Sequence, residues 1–400
     1  SSLERRDPRA NSRLATTWAD SDETGKAPWT TIDFTGVLSA GANSANAIEG
    51  GLQGEGECLL DDVQVVYNSA GRVSNPTFNA NSTGWVFRGN HVRSSLDATN
   101  GFDGAQGLRL RASGRCDTGG NRIRATLSAT IPNGATATIQ AKARWLRGWP
   151  ELLFRLHGNY LEIPARLNLP NNLGSPGLAN SVAVTNVGPA IYRVSHSPVL
   201  PAASQPVVVT AQVNDPDGVA ALQLKYRVDP TATYTTVNLV DNGASGDTIA
   251  NDGIYSATIP GQAANSLVAF VITATDGAVS PAVTLFPTNT PANSAFAREC
   301  LVRFGEPQRA SSFGTYHQWF TTAAVNSWSS RPVLSNEGVE GTFVYGSFRA
   351  IYNFSSRYAG SPYHQGWTSP QGDCHYSMAM PVDNLLLGTD NFNKVHAPGD

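Results

Sequence analysis

Two side-chain types are dense enough along this sequence to do chemistry, arginine in one stretch and aspartate in another. Between Gly101 and His157 there are nine Lys or Arg against Asp103, Asp117 and Glu151, a balance of 9 − 3 = +6 in a chain of net charge -3. Strand alternation turns Arg109, Arg111, Arg122, Arg124, Gln140, Lys142, Arg144, Arg155 and His157 outward. The same period turns Leu108, Leu110, Ile123, Leu127, Ile139, Ala141, Ala143, Leu152, Phe154 and Leu156 inward. One basic face of this kind would hold an acidic polysaccharide or an acidic protein surface, with Trp145 or Trp149 giving a ring for the C–H side of a sugar. The plainer alternative is a solvated face whose Arg stems cover apolar surface while the Trp residues sit in the core.

The aspartates fall in two loops. NDPDGV sets Asp215 and Asp217 in a tight turn, and the thirteen residues DNGASGDTIANDG carry Asp241, Asp247, Asn251 and Asp252 between two strands. Calcium takes roughly six to eight oxygens from loop positions such as these, but the spacing is not that of an EF-hand, and Asx turns explain both loops without metal. Glu55, Glu57, Asp61 and Asp62 in EGECLLDDV form a further acidic cluster; its resemblance to the closing strand of sandwich carbohydrate-binding modules implies a structural calcium, and the alternative is an acidic edge that discourages strand pairing between molecules. His317, His364 and His375 lie among tyrosines and are read as structural. Cys58, Cys116, Cys300 and Cys374 contain no C-x-x-C pair, which argues against zinc and thioredoxin-type chemistry. Of the three connectivities open to four cysteines, we expect Cys300 with Cys374 and Cys58 with Cys116. Both would imply an oxidising compartment; free buried thiols are the alternative.

No phosphate-binding G-x-x-x-x-G-K-[ST], zinc-protease H-E-x-x-H or hydrolase G-x-S-x-G motif occurs, so no catalytic residue is assigned. The small net charge gives no argument for nucleic acid, and no apolar run is long enough for a membrane helix.

The elements that must position these residues follow from composition. Gly 38, Pro 24 and 15% charged residues in 400 favour short strands and many turns. The expected fold is mainly β: tandem β-sandwiches, jelly-roll-like and then immunoglobulin- or fibronectin type III-like, followed by a partial α+β segment. Turn-rich breaks place a partial sandwich or an extension at residues 1–70 and a jelly-roll-like, carbohydrate-binding-like sandwich at 71–169, with a linker at 170–187. A second sandwich occupies 188–287, a linker 288–298 and the α+β segment 299–400, with TTAAVNSW as a short helix and GTFVYGSFRAIYNF as a hairpin turning at Gly346 and Ser347.

The last segment resembles the leading part of the CotH kinase family in large secreted bacterial proteins. The resemblance is carried by RECLVRFGE (298–306), SFGTYHQWF (312–320), RPVLSNEGVEGTFVYG (331–346), IYNFSSRYAGSPYH (351–364) and MPVDNLLLG (380–388). Stretches like GECLLDDVQVV and HSPVLPAASQPVVVTAQVNDPDGV precede the core in similar proteins. The resemblance implies a secreted or cell-surface location and a kinase-like core after the equivalent of Asp400. Three roles are open on this reading: a non-catalytic binding or adhesion region that recognises acidic glycan or neighbouring chains, a structural subunit of an extracellular filament or layer assembled by strand donation from incomplete ends, or the targeting half of a secreted kinase.

Overall fold

The structure is a computed structural model and describes residues 1–244, 246–288, 294, 296–307, 314–331, 334–359 and 375–394. Strands take 47% of the chain and helices 4%, so the fold is mainly β, in tandem antiparallel sandwiches. Near the N-terminus two short strands, β1 (Leu3–Arg5) and β2 (Trp18–Asp20), pair with each other. Contacts divide the chain into two compact units.

The first unit comprises Ser1–Glu4, Asp20–Ser181 and Arg331–Glu337. Its strands are β3 (Thr30–Val37), β4 (Ala45–Leu52), β5 (Gly56–Tyr67), β6 (Ala70–Gly71), β7 (Trp85–Phe87), β8 (Ser95–Asp97), β9 (Gly107–Ala112), β10 (Ile123–Ile131), β11 (Thr136–Gly148), β12 (Glu151–His157) and β13 (Glu162–Arg166). One sheet has the order β13-β12-β4-β10-β7; the other has β3-β11-β5-β9-β8, with β6 folded back on β5. The ten residues expected to face inward all lie in one core, together with Ile48, Leu52, Leu60 and Val65. Each fully buried Leu, Ile or Phe there contributes roughly 1.5–3 kcal/mol.

That core corrects the expected boundary at residue 70. β4 lies between β12 and β10, and β5 between β11 and β9, so β3 to β6 form a single sandwich with β7 to β13, while Arg5–Ala19 belong to the second unit. The strands of the first segment find their partners within the chain, which removes the argument for strand donation from this segment. The disulfide expected between Cys58 and Cys116 is also corrected. Both are free and buried: Cys58 belongs to the core between the sheets, whereas the Cys116 Sγ donates to Gly51 O at 3.2 Å.

The second unit comprises Arg5–Ala19, Val182–Ser330 and Gly338–Asp400. β14 (Ala190–Ser197), β15 (Val207–Asn214) and β18 (Ile254–Ile259) make one sheet. β17 (Thr235–Asn238), β16 (Val219–Val228), β19 (Leu267–Asp276) and β20 (Val283–Phe286) make the facing one. β21 (Cys300–Arg303) also pairs with β19. A further sheet has the order β22 (Tyr316–Trp319), β23 (Val339–Tyr345), β24 (Arg349–Ala359), β25 (His375–Ala379) and β26 (Asn391–Lys394), with helix α1 (Thr322–Ser330) after β22. The expected helix is present, and the hairpin turns through Gly346, Ser347 and Phe348, with Gly346 at φ 58. The expected boundary at 299 does not divide cores either, because Cys300, Val302 and Tyr352 pack into the same cluster as Val209, Leu224 and Phe270. Cys300 is a free buried thiol; Cys374, its expected partner, and His364 lie outside the described residues. Among the described residues, no helix is long and apolar enough to cross a membrane.

Candidate functional site

The single basic face expected from alternation is two faces. Arg109 and Arg111 on β9 and Lys142 and Arg144 on β11 belong to the six-stranded sheet, whereas Arg124 on β10 and Arg155 and His157 on β12 belong to the five-stranded one; Arg122, expected to point outward, comes just before β10 and is buried. Alternation reports which side chains leave the core. It does not report which sheet they leave from, and that depends on pairing between distant strands.

On the five-stranded sheet the cations are gathered by Glu49 of β4, which the sequence analysis did not single out. Glu49 pairs with Arg124 on one neighbouring strand and Arg155 on the other, and it is 1% exposed. Its carboxylate lies 3.2 Å from Arg122, 3.3 Å from both Arg124 and Arg155, and 3.4 Å from His157 Nδ1. Arg122 also donates to the carbonyls of Cys116 and Asp117. Small residues make this burial feasible: a Cβ at Gly51, two residues along β4, would lie 2.6 Å from His91 Nε2. Glu49 thus engages the three arginines, with the His157 ring beside it, and the face is a structural network.

The six-stranded sheet has two zones. At one end Glu57 accepts from Arg109 at 2.8 Å and Arg147 at 2.7 Å, with Arg111 at 3.7 Å. Burial would raise the Glu57 carboxyl, but Arg109 and Arg147 outweigh it and hold it below the ordinary value. Further along β11, the Lys142 Nζ lies 4.6 Å from the centre of the Phe102 ring and donates to Thr31 Oγ1. Arg144 lies 5.6 Å from the Trp29 ring and donates to the carbonyls of Ala27 and Gly25. The two rings meet edge to face at 5.4 Å, and Phe102 is 41% exposed. Neither Lys142 nor Arg144 has a carboxylate partner among the described residues.

Phe102 is held by an acid from the EGECLLDDV cluster. The Asp61 carboxylate, 2% exposed, accepts from the backbone N–H of Phe102 at 2.7 Å and of Asp62 at 2.8 Å. Burial raises the Asp61 pKa despite these two donors, and Asp62 and Asp103 raise it further. Asp62 itself has φ 48, where the register of β5 on β11 shifts from Asp61 opposite Lys142 to Gln64 opposite Gln140. This bulge re-aims the strand. The cluster therefore divides by role, with Glu57 pairing arginines and Asp61 fixing a loop. The aromatic partners are also corrected. Trp145 is buried at 4% exposure and Trp149 is exposed at the turn after β11, while Trp29 and Phe102 supply the rings beside the cations.

In the second unit the expected carboxylate set separates. Asp215 caps Asp217 N–H, and Asp217 pairs with Arg9 at 2.8 Å. Asp241, Asp247 and Asp252 come together, with one carboxylate oxygen from each within 4.8 Å of the others. Asn251 adopts φ 61 between them. Each aspartate of the trio already caps backbone: Asp241 accepts from Asp252 and Gly253, Asp247 from Gly243 and Ile249, and Asp252 from Ile254. These Asx caps account for the geometry by themselves. Asp247→Ala should therefore cost about 1–2 kcal/mol in calcium and in chelator alike, measured by chemical denaturation. A loss seen only with calcium present would assign the trio to the ion.

Fold and faces together define a chain of tandem β-sandwiches whose first unit displays cations beside aromatic rings. No family model and no curated protein matches the chain. Among solved structures it is similar to a DUF4785 family protein from Legionella pneumophila, with 8% identity, coverage of 88% of this chain and 75% of that one, and a TM-score of 0.21. A likeness at that level carries no argument.

Proposed function

We propose that this chain is a non-catalytic, extracellular binding region and that the outer face of its six-stranded sheet binds an acidic glycan. The observation that supports this most is the placing of Lys142 and Arg144, without carboxylate partners among the described residues, beside the Phe102 and Trp29 rings. Cations take the carboxylate or sulfate of a sugar, and the exposed ring takes its C–H side. Arg155 is left out of the surface because Glu49 and Glu162 engage it, and His157 because it lies on the other, five-stranded sheet. Membership of the CotH kinase family is part of the same proposal and is supported by the sequence stretches between Arg298 and Gly388. Secretion follows from that membership.

The test is binding of uronic-acid or sulfated oligosaccharides by the wild type and by Lys142→Ala/Arg144→Ala. The wild type should bind with an affinity that falls as salt rises, and the double variant should lose about tenfold or more, equivalent to ~1.4 kcal/mol. Equal binding by both proteins, or binding indifferent to salt, would remove the proposal.

A further inference from the structure

The first unit also holds a short segment that its sheets do not need. Residues 334–337 follow α1 in sequence and precede β23, yet they belong to the first unit and add nothing to its apolar core. They lie against Arg93 and the loop between β9 and β10, and side chains hold them there. Asn121, fully buried, turns its amide on the segment: Nδ2 donates to Leu334 O at 3.0 Å, and Oδ1 accepts from Asn336 N–H at 2.7 Å. An amide offers donors and an acceptor side by side, so Asn121 meets the main chain of the segment as a neighbouring strand would, whatever side chains it carries. Gly120 permits the close approach, since a Cβ there would lie 3.1 Å from the Leu334 carbonyl carbon.

We infer that Arg93 and the β9–β10 loop form a recognition site for extended peptides carrying Asn-Glu, and that residues 334–337 fill it in cis as a detachable clasp. Two side chains of the segment are read individually. Asn336 Nδ2 donates to the two carboxylate oxygens of Asp117 at 3.3 Å and 3.1 Å; an ionised carboxylate only accepts, which selects a donor at this position. The Glu337 carboxylate accepts from Arg93 Nε and from Ser113 Oγ, each at 2.9 Å, and a charge-assisted pair of this kind selects an acid. Main-chain bonds that give affinity, combined with side-chain contacts that give selectivity, are how peptide-binding surfaces work. The contacts join positions 213 to 244 residues apart in sequence, and none is part of a strand ladder, so the segment can leave without unpairing a sheet. A tethered segment acts at an effective concentration on the order of 1 mM, which keeps the site filled until a competitor arrives or the segment is altered.

Isothermal titration of the full chain with the peptide LSNEG, the sequence of residues 334–338, tests this. The Asn336→Ala/Glu337→Ala protein should bind it saturably, with Kd on the order of 0.1–1 mM. The wild type should bind about tenfold more weakly because its own segment competes. The peptide LSAAG should bind the variant about tenfold more weakly than LSNEG. Melting curves establish that the variant folds; Glu337→Gln, which keeps the size of the side chain and removes its charge, gives the same comparison where the double variant does not. No saturable binding of LSNEG to the folded variant would overturn the inference, as would equal binding of the two peptides or equal binding by variant and wild type.

Discussion

Glu49→Ala is expected to destabilise the first unit by about 3–5 kcal/mol, the range for removing one partner from a buried ion pair. Glu49 is 1% and Arg122 is 4% exposed. Truncating the acid leaves the Arg122 guanidinium buried beside Arg124 and Arg155, and of the three only Arg155 keeps a carboxylate, Glu162 at 3.4 Å. The desolvation already incurred by Arg122 is then uncompensated, and the like charges repel. For a unit of this size the melting temperature should fall by about 10 °C or more. Replacing both groups, Glu49→Leu with Arg122→Met, should recover most of the loss, because an apolar pair of similar volume needs no charge balance. Denaturant unfolding of both variants reads the difference. A loss below about 1 kcal/mol for Glu49→Ala would mean that the network is solvated and does not organise the sheet.

The second large effect is acid sensitivity set by two buried histidines. His91, fully buried, accepts from Leu52 N–H through Nε2 at 3.0 Å and pairs with Asn90 Oδ1 through Nδ1 at 2.6 Å. The network needs a neutral ring with its proton on Nδ1, since a protonated Nε2 would face the Leu52 N–H. Burial first, with nearby Arg122 adding to it, pushes the His91 pKa from 6.5 down to about 4. In the second unit burial does the same to His196, also to about 4, where the ring pairs with Tyr352 Oη and Val199 O.

Because both folded pKa values lie below the unfolded one, the unfolded chain binds the extra protons. Stability is therefore full above about pH 6.5 and is lost as pH falls towards 4, by about 3 kcal/mol per histidine at ~1.4 kcal/mol per unit. Asp61 works in the opposite direction, since its raised pKa favours the folded state as it protonates. Thermal unfolding between pH 7 and pH 4.5 should show both units weakening. His91→Gln, which keeps an acceptor and removes the titration, should flatten the dependence of the first unit only. An unchanged pH profile in that variant would place the acid sensitivity elsewhere.

What could be read from the sequence was local. The inward and outward sets of β9, β10, β11 and β12 follow from a period of two and need no knowledge of partners. The trio Asp241, Asp247 and Asp252 shares one thirteen-residue loop, so its closeness follows from loop length. Pairing between distant strands was not legible. Glu49 lies in β4, within the stretch ANAIEGGL, and its significance comes from β10 and β12 on either side. A boundary at residue 70 separated it from both. Trp29 and Phe102 are similarly remote in sequence and meet because β3 pairs with β11 while the β8–β9 loop is tied to Asp61. Glu49-Gly50-Gly51 did carry a signal, since an acid followed by two glycines inside a strand marks a place where other groups approach the backbone closely. Phe154 fills that space at Gly50, where a Cβ would lie 2.5 Å from its ring.

The glycan-binding account is tested most directly by backbone-amide NMR of the full chain titrated with an acidic oligosaccharide. The account predicts shifts centred on Thr31, Phe102, Gln140, Lys142 and Arg144 that weaken as salt is added. Shifts centred on Arg124, Arg155 and His157, or none at the Phe102 loop, would contradict it.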